Sequence, residues 1–161
     1  MKHIIKLIIG ASIVLSFNAF AKSPTPYGPA ISLEQAKIVA AAAEAEAIKN
    51  NWLVAIAIAD SGGNLVLLHK IDNTQHASVK VAQDKAKTAV NLRRSTKILQ
   101  ERIAQGGAAL TLLSVDDISL FEGGIPIIVD GKLIGGIGVS GVTPAQDGLA
   151  AQAGVDALLK K

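Results

Sequence analysis

Cysteine is absent from the 161 residues, methionine occurs once, at Met1, and aromatic side chains make up only 3%. The missing thiols exclude disulfides, thiolate nucleophiles, zinc–thiolate and iron–sulfur sites, and a cysteine-borne lipid anchor. Histidine is nearly as scarce: His3, His69 and His76 are the full set. Imidazole chemistry in the body of the chain is therefore confined to His69 and His76. The five aromatics, Phe17, Phe20, Tyr27, Trp52 and Phe121, are too few for a base-stacking platform. No basic run exceeds Arg93-Arg94, so the charge pattern of a nucleic-acid binder is missing as well. No apolar run reaches the roughly 20 residues that a membrane span needs.

The longest such run, Leu7 to Phe17, follows Lys2 and Lys6 and precedes Ala19-Phe20-Ala21. A basic start, a short apolar middle and a small-x-small end make residues 1–21 a secretory signal peptide, with cleavage expected after Ala21. That implies a periplasmic or secreted protein. Removing the segment takes away two of 16 basic and none of 13 acidic residues, leaving 14 against 13 and a charge near neutrality. Residues 22–31, with Pro24, Pro26, Gly28 and Pro29, read as an extended leader. Residues 32–161 read as one domain.

Within that domain, Ser32-Leu33-Glu34-Gln35 has the pattern of a capping box, and apolar residues recur at helical spacing from Leu33 to Ala47. Trp52 to Ala59 alternates large and small side chains, apolar on both faces. A strand of that kind needs cover on both sides, and with few helices available it argues for a homo-oligomer. Ser61-Gly62-Gly63-Asn64 turns the chain into a returning strand, Leu65 to Ile71. Helices are expected from His76 to Leu92 and from Ser95 to Ile103, with a further helical turn at Ala108 to Leu113. Three strands follow, Ile118 to Phe121, Ile125 to Val129 and Leu133 to Ser140. Thr143-Pro144-Ala145-Gln146 then opens a last helix with a threonine cap and a first-turn proline. The order favours an α+β fold on an antiparallel sheet.

Gly136-Ile137-Gly138-Val139-Ser140-Gly141 satisfies the dinucleotide pattern G-x-G-x-x-G. Its context does not, because no second parallel strand with an acidic residue follows the helix. In strand register Gly136, Gly138 and Ser140 share one bare face, open to a close-packed helix or to a ligand. Ser140 lacks the full G-x-S-x-G of a nucleophile elbow, and a strand-end serine bonded to nearby backbone is the plainer reading. Lys85 is more demanding. It lies inside the apolar stripe of Ala82, Ala86 and Ala89, so it either snorkels to the rim or meets an anion in a cavity. That anion could be a ligand carboxylate, Asp60 or Asp147. Of the two histidines, loop-borne His76 is the better ligand candidate and His69 the alternative.

Four segments taken together resemble the GlcG/HbpS-like family, also called haem-binding or haem-degrading, which includes the C-terminal domain of PduO-type proteins. They are Ala59 to Leu65, Val81 to Ala89, Gly123 to Ile127, and Gly135 to Gly141 followed by Gln146-Asp147. The resemblance spans about residues 32 to 160. It implies a profilin-like fold with a five-stranded antiparallel sheet flanked by helices, oligomeric assembly, and in some members haem binding. Its motifs fall on Asp60, Gly63, Lys85, Gly124, Pro126, Gly138, Ser140, Gly141 and Asp147.

Two functions follow from these readings. In the first, an exported protein binds haem or a related tetrapyrrole as carrier or sensor partner, with iron held by His76 or His69. In the second, a small enzyme or binding protein acts on an organic acid, with Lys85 holding a carboxylate; Lys85, Gly136, Gly138, Ser140 and Asp60 are the ligand-binding candidates. An oligomeric scaffold with a vestigial pocket is the third and plainest reading.

Overall fold

The computed structural model describes residues 24–160. The expected signal peptide lies outside them. Helix α1 (Leu33–Lys49) leads into a hairpin of β1 (Ala55–Asp60) and β2 (Leu65–Lys70). Helices α2 (Ala77–Asn91) and α3 (Thr96–Ala104) and a 3-10 helix (Gly107–Ser114) follow. The hairpin of β3 (Gly124–Val129) and β4 (Lys132–Ser140) and helix α4 (Pro144–Leu159) complete the chain. Among the described residues no helix is long and apolar enough to cross a membrane.

The class is α+β, but the expected five-stranded sheet is not there. The sheet has four antiparallel strands in the order β2-β1-β4-β3. Ile118 to Phe121, expected as a strand, is irregular backbone. Amide groups in it and just after it explain why: Ser119 N–H donates to Thr88 Oγ1 at 2.8 Å and Glu122 N–H to Gln100 Oε1 at 2.8 Å. Side chains of α2 and α3 take donors that a fifth strand would give to a neighbour. The leader makes partial use of the sheet. Gly28 N–H donates to Leu133 O and Leu133 N–H donates to Pro26 O, giving an isolated parallel bridge at Tyr27. Prolines at 24, 26 and 29 lack the donors for a longer ladder.

Both faces of β1, the strand apolar on both sides, are covered by this chain's own helices, whereas β2 at the sheet edge leaves Leu65 and Leu68 exposed. Register sets Ile56 against Val139 and Ile58 against Ile137. Helices α1 and α4 close over this face, burying Ala36, Val39, Ala40, Ala43, Ala47, Ala150 and Ala151. On the other face Ala57 stands against Gly138 and Ala59 against Gly136, and α2 buries Ala82, Ala86 and Val90 on them. Large residues thus meet an alanine-rich helix pair, and small ones let α2 lie on bare backbone. A Cβ on Gly138 would fall 2.0 Å from Ala82 O.

Candidate functional site

Lys85 enters the interior from α2 because the alanines on either side of it hold that face against β4. Its Nζ donates to Asp147 Oδ2 at 2.8 Å and to Val139 O at 2.9 Å, and the two side chains are 2% and 3% exposed. Asp147 comes from the first turn of α4, whose start is set by the Thr143–Gln146 capping box and Pro144. Its Oδ1 accepts from Val142 N–H at 3.2 Å. Gly123, at φ +126, lets the chain pass over the pair, since a Cβ there would sit 2.8 Å from Nζ. Burial pushes the ammonium down and the carboxyl up, against their mutual attraction. Of the anions open to Lys85, the one it meets is the chain's own Asp147. The pair fastens α2, β4 and α4 together.

The remaining candidates separate. Gly136 and Gly138 hold no free space, because the α2 backbone lies on them. Ser140 is buried, and its Oγ donates to Ser78 Oγ at 3.4 Å, so its partner is not a histidine. Asp60 organises the β1–β2 turn, accepting from Gly62 N–H at 2.8 Å and Asn64 N–H at 2.9 Å. The histidines lie on opposite sides of the sheet. His69 pairs in register with Ile56, which puts it on the α1 side, where its Nδ1 is 2.6 Å from Glu44 Oε2. His76, exposed, immediately precedes α2 on the other side.

Beside α2 on that second side runs an apolar groove of about 670 Å³. Val81 and Asp84 of α2, Gln100 and Ile103 of α3, Leu113, and the irregular segment Ile118 to Phe121 line it, with Pro144 at one end. Phe121 is 61% exposed and Leu113 64%. A smaller cavity of about 230 Å³ shares Val81, Phe121 and Pro144 with the groove and is bordered by Gln75, Ser140, Lys85 and Asp147. Asp84 is held by Lys80 at 2.6 Å, a hydrogen bond and charge that raise the lysine's pKa. His76, Lys80 and Asp84 are successive residues of one i, i+4 row; Asp84 alone of the three lines the groove, and His76 lies two turns away at the start of α2.

The groove walls are not legible in the sequence, because the apolar content of Ile118 to Phe121 predicts a strand. A signal was present: apolar residues without a helical or strand period lie between Gly106-Gly107 and Gly123-Gly124 and include Phe121, a scarce aromatic. Among the described residues no group of three or more His, Asp or Glu could hold a bare metal ion.

Comparison with known proteins gives concordant results. The family model described as haem degrading protein HbpS-like matches residues 31–156. Protein GlcG of Escherichia coli is 41% identical over 110 residues, covering 68% of this chain and 81% of GlcG. Among solved structures, protein ORFY of Klebsiella pneumoniae superposes with a TM-score of 0.79 at 32% identity, covering 83% of this chain and 94% of that one. The PduOC:heme complex superposes with a TM-score of 0.75 at 30% identity, covering 80% and 94%.

Proposed function

The chain belongs to the GlcG/HbpS-like family, and from that premise we propose that it is an exported haem-binding protein, a carrier or sensor partner, that holds the macrocycle in the groove beside α2. The observation that carries this reading is the groove itself. Its volume falls within the range of cofactor sites, and large apolar side chains stand uncovered along it. Haem supplies a flat apolar ring, two carboxylates and an iron that takes a nitrogen donor from a protein. The walls match the ring, and His76 is the donor on the groove side of the sheet. His69, on the far side and beside Glu44, is not. The solved PduOC:heme complex supports haem as the class of ligand by kinship.

The organic-acid reading loses its main support, because Lys85 is saturated with Asp147 and Val139 O. Export follows from the tripartite segment at residues 1–21, and assembly into a homo-oligomer would cover Leu110, Leu113 and Phe121 where ligand does not.

A haemin titration of the protein without residues 1–21 tests the function. A Soret band saturating near one haem per chain is expected, with its low-spin form lost in His76→Ala and kept in His69→Ala. No Soret shift in the unsubstituted protein overturns the reading. Loss in His69→Ala alone transfers the iron to the other side of the sheet.

A further inference from the structure

Three side chains with polar ends line the groove: Asp84, Gln100 and Ser119. Two are engaged. Asp84 is held by Lys80, and Gln100 Oε1 accepts from Glu122 N–H. Ser119 differs. Its Oγ is the one buried side-chain polar atom among the described residues without a hydrogen-bond partner, in a residue 7% exposed. Thr88 Oγ1 accepts its backbone N–H at 2.8 Å.

A buried hydroxyl with no partner destabilises the fold, and native proteins carry few of them. The cost here is easily avoided in principle, since alanine would fill the same place without the oxygen. The hydroxyl has three staggered positions about Cα–Cβ, and Ser119 is part of the groove wall. Its neighbours Ile118, Leu120 and Phe121 are apolar, so no side chain beside it in sequence competes for a bond.

We propose that the Ser119 hydroxyl is a ligand-anchoring group: it turns about χ1 into the groove and donates a hydrogen bond to an oxygen on the edge of the bound macrocycle, a carboxylate or carbonyl. The inference rests on the groove as the haem site and adds to it a recognition element for oxygen-bearing rings over purely alkyl ones. The bond forms where water has been displaced by apolar ligand and wall, which is where a single donor discriminates best.

The test compares haemin with octaethylhaemin, which has the same metal and ring but no oxygen on its edge, in the unsubstituted protein and in Ser119→Ala. Both affinities are read from Soret titration, and melting of the ligand-free protein is followed in parallel. The expected result is a roughly tenfold loss for haemin, the fold-change of one good hydrogen bond, with octaethylhaemin unchanged. The ligand-free melting temperature should stay level or rise, because the substitution removes an unpaired hydroxyl. Ser119→Thr, which restores the donor, should recover haemin affinity. Equal haemin affinity in Ser119→Ala overturns the proposal. So does an equal loss for both rings, or a fall in melting temperature, since either makes the hydroxyl a structural group. If the unsubstituted protein binds neither ring, the haem reading itself fails and this inference falls with it.

Discussion

Helix α2 has two sides that are built on opposite principles. Its inner side lies on glycine backbone: Ala82 and Ala86 press on Gly138 and Gly136 with no room for a Cβ, and its buried charge is paired and hydrogen-bonded. Its outer side carries Val81 and Asp84 to an open groove. The opposite wall of that groove is irregular backbone held by side-chain hydrogen bonds to α2 and α3. Backbone-to-backbone contact makes α2 a rigid wall, because a helix seated on bare strands cannot shift without lifting off. The facing segment has no ladder bonds and is tied by side chains of α2 and α3. Binding groups commonly stand on loops that a rigid scaffold positions.

The contrast breaks most severely at Gly138. A Cβ there meets Ala82 O at 2.0 Å and Ala86 N at 2.5 Å, both backbone atoms that move only with the helix. Gly138→Ala is expected to cost more than about 4 kcal/mol and to abolish cooperative melting, beyond the range of ordinary substitutions. A normal melt would mean that α2 sits further from β4 than described.

Next comes the ion pair. Lys85→Met keeps the stem and removes the ammonium, leaving Asp147 buried and unpaired, which is expected to cost about 3–5 kcal/mol. Adding Asp147→Asn to it retains an acceptor for Val142 N–H and removes the orphaned charge. Most of the loss should return in that double variant, as urea denaturation would show. If the single substitution is silent, Lys85 does not face inward.

On the outer side the order of effects reverses. Phe121→Ser removes a ring that is 61% exposed, so stability should change by no more than about 0.5 kcal/mol. Haemin affinity should fall roughly tenfold or more, the scale of burying one aromatic ring. A stability loss with affinity unchanged would place the ring in the core and the ligand elsewhere.

This division also explains what could be read from the sequence. The capping boxes at Ser32 and Thr143 and the large–small alternation of β1 depend on local chemistry and fixed periods, so they are visible in order along the chain. Lys85 stood out because a charge inside an alanine stripe violates its own period, but its partner lies 62 residues away and no local rule chooses Asp147 over Asp60. Ile118 to Phe121 has the apolar content of a strand, and only the distant hydroxyl of Thr88 and amide of Gln100 turn its donors elsewhere. The glycine face was legible as bare. That a helix and not a ligand covers it depends on how closely Ala82 and Ala86 allow α2 to approach.

The smallest expected effect concerns Asp60, a ligand-binding candidate whose carboxylate accepts the amides of the β1–β2 turn. Slight burial raises its pKa, but hydrogen bonds from Asn64, Gly62 and Gly63 outweigh this and hold it below the ordinary 3.8. The folded protein therefore binds this proton more weakly than the unfolded chain does. The carboxylate's contribution is in place above about pH 4 and is lost as pH falls through the lowered value. Asp60→Asn keeps an acceptor oxygen for Gly62 N–H and Asn64 N–H but loses the charge. It should be less stable than the unsubstituted protein by at most about 1 kcal/mol near neutral pH, a modest figure for a solvent-screened group. Denaturation at neutral pH and again near pH 2.5 should show the gap closing in acid. A gap that persists in acid, or that appears only when haemin is added, would return Asp60 to the ligand and take it out of the turn.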